Sequence, residues 1–221
     1  MLTEVIGAIK ARDLSKVRSL LNENPTLVSG RTPEGESPLL ASIYYGVAEA
    51  RQLLLELGAE PTLFEAAAAG LTDRVKALTQ EAPSLVAAYS PDGFTPLHLA
   101  AFFGNAETAR YLITQGAAVD ARSTNGLANM PLHAALAGSR DEVARVLVEA
   151  GAGLNTADAS GNVPLHLAAA NGNAELVSLL LARGAQLNVH NHEGQTPLGL
   201  ALIKGHPAVA DLLRQAGGQE A

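Results

Sequence analysis

Three of the six histidines occupy related positions, and their side chains are the first candidates for chemistry. His98, His133 and His166 each follow a Pro-Leu pair, and their numbers increase in steps of 35 and then 33. Histidine can act as a general base or as a metal ligand, but either role needs one ring among neighbours of other kinds. Repetition of one ring at one position is instead typical of an architectural residue. We therefore predict that these three histidines are structural groups with no catalytic role.

Two other patterns could bind metal ions. His190 and His192 lie two residues apart, but no third ligand at a suitable spacing accompanies them. Residues 155–161 resemble a calcium-binding loop, yet the bidentate acid at the twelfth position is missing and Asp158 is explained by turn formation. The sequence has no nucleophile elbow, P-loop or dinucleotide-binding fingerprint. We predict no catalytic residue, no metal site and no cofactor.

The elements that position the three histidines recur along the chain. Residues 90–104 combine a turn, an N-capping Thr95, Pro96 at the first helical position and a short helix that ends at Gly104. The threonine hydroxyl satisfies an N–H at the helix start, proline has no N–H to leave unpaired, and glycine provides the left-handed residue that ends a helix. Equivalent prolines follow Pro96 in steps of 35, 33 and 33 along the numbering. This period indicates one supersecondary unit stacked on itself.

The motif T-P-L-H-x-A-A, followed by a helix that ends in L-L-x-x-G-A, resembles the ankyrin repeat over nearly the whole chain. The resemblance implies an all-α ankyrin-repeat solenoid of about seven helix pairs with short β-hairpin fingers. The motif histidine would then hydrogen-bond around the finger and the capping hydroxyl. The resemblance also implies a single domain, 1–221, with an N-terminal capping repeat (1–37), internal repeats (38–195), a C-terminal capping repeat (196–216) and a short tail (217–221).

One finger is missing between pairs two and three. The turn glycines of these pairs, Gly46 and Gly70, are separated by a step of only 24, too short for a full repeat. The pattern then predicts that the first helix of pair three begins at Pro61, with Phe64 and Glu65 where other repeats have His-Leu.

Further irregularities concern later turns and the N-terminal half. Residues 126–129 lengthen one finger by two, and Ser139 stands where the period predicts a turn glycine, which indicates backbone strain. Residues 13–46 also align without a gap with residues 71–104, at an offset of 58. The N-terminal half is therefore predicted to be a duplicated unit of two pairs.

Four of the eight aromatic residues form two pairs at equivalent positions of the repeat, Tyr44/Tyr45 and Phe102/Phe103. In ankyrin repeats the two residues before the turn glycine face the concave groove, and exposed aromatic patches mark interaction sites. Small residues at Ala68 and Ala69 would leave a floor between the rings, and the missing finger at residues 59–62 would open a notch beside it. Alternatively, one ring of each pair packs under the neighbouring finger. The predicted partner-binding residues are Tyr44, Tyr45, Tyr89, Phe94, Phe102 and Phe103.

Composition limits the kinds of partner. The 221 residues carry a formal net charge of −7, which argues against nucleic acid and anionic membranes as partners. There is no cysteine, so disulfides and thiolate metal sites are excluded. No apolar run reaches the roughly 18 residues of a membrane span, and the N-terminus has no signal-peptide core. We expect a cytoplasmic protein that is monomeric alone.

The sequence as a whole predicts a non-catalytic module that binds a protein through the concave face of its N-terminal half. One alternative is a small-molecule binder or an enzyme that uses the notch between Tyr44/Tyr45 and Phe102/Phe103, for which Glu65 is the nearest candidate acid. Another is an accessory to an unidentified partner protein, which sequence does not separate from the first.

Overall fold

The computed structural model describes residues 1–220 and contains seven helix pairs, as predicted. Within these residues the fingers are short hydrogen-bonded turns, and none is long enough to form strands. Two 3₁₀ helices, Pro25–Ser29 and Pro83–Ala87, follow the second helices of pairs one and three. The fourteen α-helices are α1 (Leu2–Lys10), α2 (Leu14–Glu23), α3 (Pro38–Tyr44), α4 (Ala48–Glu56), α5 (Leu63–Ala69), α6 (Thr72–Glu81), α7 (Pro96–Phe103), α8 (Ala106–Thr114), α9 (Pro131–Ala137), α10 (Asp141–Glu149), α11 (Pro164–Ala170), α12 (Ala174–Ala182), α13 (Pro197–Ile203) and α14 (Pro207–Gln215).

The helices stack in two rows, each contacting its neighbours along the array. The odd-numbered helices form one continuous row, and the even-numbered helices form the other. The second row is interrupted once, because α4 and α6 make at most marginal contact. This interruption coincides with the missing finger between pairs two and three.

The predicted duplication in the N-terminal half is visible in the element bounds. Helices α2 and α6 both have 10 residues, and each is followed by a 3₁₀ helix that begins with proline. The other even-numbered helices have nine residues and lead instead into a left-handed glycine or an adjoining turn.

The motif histidines tie each repeat to the next, which confirms their structural role. His98 is fully buried; the Thr95 backbone N–H donates to its Nδ1 at 3.3 Å, so Nε2 carries the proton and donates to the Asn129 carbonyl at 3.1 Å. His133 and His166 bond to the following finger in the same way, at 3.1 and 3.0 Å. Burial lowers the pKa of all three rings, that of His98 to about 4. Each ring is therefore a neutral, oriented link.

The hydrophobic core is divided where the stack is interrupted. One cluster of buried side chains runs from Leu63 to Leu213 and fills pairs three to seven. A second cluster fills pairs one and two; across the junction its buried members are Ala68 and Leu99, and a few partly buried side chains such as Phe64 and Phe103 pack against it. Because each repeat of a solenoid contacts only its neighbours, this division marks a candidate weak junction in the array.

Helix α5 differs from the prediction in its start and in its length. It begins at Leu63 and not at Pro61, because Thr62 is the N-cap and accepts a hydrogen bond from the Glu65 backbone N–H. Glu65 therefore occupies the position of the motif histidine, which the sequence pattern assigned to Phe64. From its N-cap to its turn glycine, Gly70, the chain advances eight residues instead of the nine of pair four, so the segment of helix and turn is one residue shorter, in addition to the missing finger.

Backbone strain occurs where the period is broken in the second half. Ser139 adopts φ 53°, as predicted; this is the left-handed conformation that glycine adopts in the corresponding turns of the other pairs, except pair one, where Arg12 has φ 59°. Ala128, in the lengthened finger, has φ 47°. Both conformations are costly for a residue with a Cβ atom and are held by the surrounding structure.

The fingers are joined by backbone hydrogen bonds that stop at a proline. We number the fingers by the pair they follow: first (32–36), third (90–94), fourth (123–129), fifth (158–162) and sixth (191–195). The second residue of each later finger donates to the finger before it, as Thr124 does to Gly93 at 2.9 Å. In the third finger this residue is Pro91, which has no N–H, so the series of bonds ends beside the missing second finger.

Candidate functional site

Helices α3 and α7 end in the two predicted aromatic pairs, which form one continuous surface. Tyr44, Tyr45 and Phe102 are exposed, with 46%, 47% and 40% of their surface accessible, while Phe103 is half-buried. The Tyr44 and Phe103 rings meet edge to face at 5.4 Å, and Phe103 meets Phe102 in the same way at 5.2 Å. We call these four residues the aromatic patch.

The open floor expected over Ala68 and Ala69 is not present. Ala68 is buried and Ala69 is half-buried, because Tyr44 and Phe103 reach towards each other across α5 and cover the small side chains. A ring of one pair therefore contacts a ring of the other, and the two pairs do not surround a depression.

The other two predicted residues have different surroundings. Phe94 is half-buried beside the ring of His98, with ring centroids 5.9 Å apart. Tyr89 is exposed, and its hydroxyl donates to the Arg122 carbonyl at 3.0 Å. Phe94 borders the aromatic patch, whereas Tyr89 links the third finger to the fourth.

A cavity of about 570 Å³ lies between the first and third fingers, in the space that a second finger would fill; we call it the finger cavity. The tips of the two fingers approach each other above it, since a Cβ atom added to Gly35 would lie 4.0 Å from Cγ of Pro91. Leu40, Phe64 and Leu99 are among the apolar residues that line it. Tyr44 and Tyr45 of the aromatic patch line one side of it. The missing finger thus leaves a partly roofed cavity.

A smaller depression of about 250 Å³ lies on the other side of Tyr44. It is lined by Phe94, Phe102, Phe103 and the lengthened fourth finger. Leu127 of that finger is 55% exposed, so it extends the apolar surface beyond the predicted residues. Leu127 is exposed because this finger contains two additional residues. The sequence shows the insertion but does not indicate which of its side chains is exposed.

Glu65 is the centre of a polar cluster that joins pair three to pair two. Its side chain is 2% exposed and accepts two hydrogen bonds from Arg31, at 3.1 and 2.7 Å. The Ser37 hydroxyl donates to the same carboxylate, and the Thr62 backbone N–H donates at 2.9 Å. Burial alone would raise the pKa of Glu65, but the bonds from Arg31, Ser37 and Thr62 hold the pKa below its usual range.

This arrangement decides what Glu65 can do. Both carboxylate oxygens already accept bonds from Arg31, Ser37 or Thr62, so the group stays ionised and is not available as a proton donor. The cluster is thus an ion pair between a buried, fully hydrogen-bonded carboxylate and a guanidinium that remains partly exposed. The sequence pattern assigns the motif-histidine position to Phe64. It therefore gives Glu65 no structural role and leaves it as a candidate acid.

The two metal-like patterns have ordinary structural roles. His190 and His192 are exposed on the sixth finger, and the His192 backbone N–H donates to the Ser160 carbonyl at 3.0 Å. Asp158 accepts hydrogen bonds from the backbone N–H groups of Ser160 and Asn162, at 2.8 and 2.9 Å, and so closes a turn. Within residues 1–220 no helix has the length and hydrophobicity needed to cross a membrane.

Comparison with known proteins agrees with this architecture. A model of the family described as ankyrin repeats (3 copies) matches residues 63–158 and 150–220, more than half of the chain. The matched region coincides with pairs three to seven and with the larger core cluster. The unmatched pairs one and two lack the motif histidine but have the same paired-helix form.

A curated relative shares part of this sequence. Over 133 residues, 55% of the chain, the sequence is 29% identical to Alpha-latrocrustotoxin-Lt1a from Latrodectus tredecimguttatus. The match spans 9% of the length of that toxin, so it concerns a small segment of a much longer protein. Ankyrin repeats are in general protein–protein interaction modules and typically have no catalytic activity. The family match, the repeated helix pairs and the linked histidines together show that this chain belongs to the ankyrin-repeat family.

Proposed function

We propose that the chain is a non-catalytic module that binds a protein partner through the concave face of its N-terminal half. The observation that supports this most directly is the aromatic patch, in which Tyr44, Tyr45 and Phe102 are 40–47% exposed. Large rings at the centre of a surface are where interface energy concentrates. Contiguous exposed apolar surfaces of this kind mark interaction sites.

The surface is also shaped for a protein segment. The finger cavity and the smaller depression lie on either side of Tyr44, so a bound segment could place one side chain in each. The exposed Leu127 continues the apolar surface along the fourth finger. We propose Tyr44, Tyr45, Phe102, Phe103 and Phe94 as contact residues, with Tyr89 at the margin.

The alternative of an enzyme in the notch has less support. Its candidate acid, Glu65, is held by Arg31, Ser37 and Thr62 as a structural carboxylate. The carboxylates of Glu34 and Asp92 also line the finger cavity, but their side chains are exposed to solvent. Small-molecule binding needs no catalytic acid, and the finger cavity has a volume within the range of ligand sites, roughly 300–1,000 Å³. Protein binding is preferred because the exposed rings extend well beyond that cavity.

Photo-crosslinking in the source organism tests the proposal. A photoreactive phenylalanine analogue replaces Phe102 in one variant and Ile203 in a control variant. Ile203 is matched because it ends α13 at the position equivalent to Phe102 and is 64% exposed. We expect one protein to be crosslinked at position 102 and not at position 203. Equal crosslinking at both positions, or none at position 102, would contradict the proposed face.

A further inference from the structure

We propose that the finger cavity receives a basic side chain, arginine or lysine, of the protein partner. This inference rests on the proposed function and adds the chemistry of the partner. It follows from the charges that line the cavity, from the aromatic rings beside them, and from a cation of the protein itself that is already held in this way.

The missing finger brings two copies of one acidic position to the same cavity. Glu34 and Asp92 each stand directly before the turn glycine of their finger, Gly35 and Gly93, and the duplication relates them to each other. In an uninterrupted array the second finger would separate them. Here both residues line the finger cavity, on opposite walls.

The lining has a strong excess of negative charge. Four carboxylates line the finger cavity, those of Glu34, Glu36, Glu65 and Asp92, together with one guanidinium, that of Arg31. Such a recess raises the local concentration of cations and repels anions.

Two of these carboxylates are satisfied and two are not. Arg31 pairs with Glu65 at 2.7 Å, and Lys10 pairs with Glu36 at 3.1 Å. Across residues 1–220, Glu34 and Asp92 form no ion pair within 4.0 Å. Both side chains are exposed, so they remain hydrated and accessible to a ligand. The unused charge therefore lies on the two equivalent residues at the rim.

The protein already binds one of its own cations at the edge of the aromatic patch. The Lys10 ammonium lies 5.0 Å from the centroid of the Tyr45 ring while it pairs with Glu36. A cation over an aromatic face and beside a carboxylate is a favourable arrangement. Tyr44 and Asp92 offer a second combination of this kind, with no cation of the described chain paired to the carboxylate.

The proximity of Tyr44 and Asp92 has an electrostatic signature. Burial raises the pKa of the Tyr44 hydroxyl, and the negative charge of Asp92 raises it further. The ring and the carboxylate also line the same cavity, so one bound group could contact both. The ring face would take the planar guanidinium or the ammonium, and the carboxylates would neutralise its charge.

The floor of the cavity fits the rest of such a side chain. Leu40, Phe64 and Leu99 are apolar, and the methylene stems of arginine and lysine bury well against such surfaces while the charged end stays near the rim. An aliphatic side chain would pack against the apolar floor but would leave the carboxylates at the rim without a cation. It is better suited to the smaller depression, whose lining contains no carboxylate.

The test uses the whole chain, labelled with ¹⁵N, and two small probes. N-acetyl-arginine amide and the neutral N-acetyl-norleucine amide are titrated separately, and the backbone amide signals of Gly35, Tyr44 and Asp92 are followed. We expect saturable shifts at these amides with the arginine probe and at least a tenfold weaker effect with norleucine. The arginine shifts should also weaken as salt is raised.

A double variant and a matched control identify the carboxylates. Glu34→Gln with Asp92→Asn keeps the side-chain shapes and should weaken arginine binding about tenfold or more. Glu193→Gln is the control, since Glu193 has the same position before Gly194 in the sixth finger, far from the cavity; it should leave binding unchanged. Unaltered melting temperatures would show that both variants are folded.

The possible results separate this inference from the proposed function. Equal binding of norleucine, absence of binding by arginine, or binding that the double variant retains would each overturn the basic-side-chain inference. The Phe102 crosslink would be unaffected by any of these results. Loss of that crosslink with intact arginine binding would instead contradict the proposed protein-binding face.

Discussion

Replacing Glu65 by alanine should loosen the junction between pairs two and three more than any other single polar substitution there. The carboxylate closes the N-terminal capping box of α5, an interaction worth about 1 kcal/mol. It also accepts bonds from Arg31 and Ser37; charge-assisted bonds contribute about 1.5–3 kcal/mol, and we take the lower end because the Arg31 side chain is 39% exposed. About 1 kcal/mol for the cap, about 1.5 for the Arg31 pair as a whole and about 0.5 for the Ser37 bond give a loss of about 3 kcal/mol for Glu65→Ala.

Urea unfolding and hydrogen exchange measure this effect together. The free energy of unfolding should fall by about 3 kcal/mol, and the amides of α1–α4 should open first while those of α9–α12 keep their protection. Glu65→Gln is the comparison variant, because glutamine retains the capping geometry without the charge, and its effect should be smaller. A loss below about 1 kcal/mol, or exchange that increases evenly along the array, would refute the view that Glu65 joins the two halves of the core.

Three further predictions concern other parts of the chain. Acid should destabilise the fold: the motif histidines are neutral when folded, with the pKa of His98 near 4 against 6.5 for a free ring, so stability is complete above about pH 6.5 and is lost as the pH falls towards 4, by about 3 kcal/mol for His98 alone; a flat stability curve over this range, measured by urea unfolding, would exclude the effect. In the unmodified chain, hydrogen exchange should be faster in α4 and α5 than in α11 and α12, because the core is divided at the first location, and equal protection would contradict this. Phe102→Ala and Tyr45→Ala should each weaken binding of the crosslinked partner at least about tenfold with little loss of stability, whereas Lys204→Ala should have no effect; a stability loss of ~3 kcal/mol for either ring would identify it as a packing residue.

The repeated parts of the fold were predictable because each signal occurs several times. Thr95, Pro96 and Gly104 define the start and end of one helix, and related residues at the same spacing define others. The structural role of the motif histidines followed from the same repetition. Local capping chemistry and a fixed period are properties of the sequence alone, and no tertiary contact was needed to interpret them.

The irregular junction could be located but not described from the sequence. The short spacing of Gly46 and Gly70 revealed the missing finger, but the start of α5 depended on whether the helix begins at Pro61 or after an N-cap at Thr62. Thr62 is the N-cap, since its hydroxyl accepts from the Glu65 N–H and the Glu65 carboxylate accepts from the Thr62 N–H. Only the structure shows that Arg31 supplies the charge that makes a buried carboxylate acceptable. That pairing joins residues 34 positions apart, beyond any local pattern.

The exposed surface was predictable in identity but not in shape. The positions of Tyr44 and Phe102 before a turn glycine predicted exposure on the concave side, and both are exposed. The contact between Tyr44 and Phe103 was not predictable, because it depends on how closely α3 and α7 approach over the shortened α5. The spacing of the helices, which no local sequence pattern specifies, decided whether a depression remained between the rings.

One local deletion accounts for the weak junction, the polar cluster and the cavity. In pairs four to six a histidine donates forward to the carbonyl of the next finger, but pair two has Leu40 at that position and pair three is preceded by no finger. The link is reversed there: Glu65 accepts bonds from the pair before it, and Arg31 and Ser37 are the donors. The space of the lost finger is left beside this reversed link, bordered by the acidic positions of its two neighbours. In the function that we propose, the least regular junction of the solenoid would also be the one that distinguishes one partner from another.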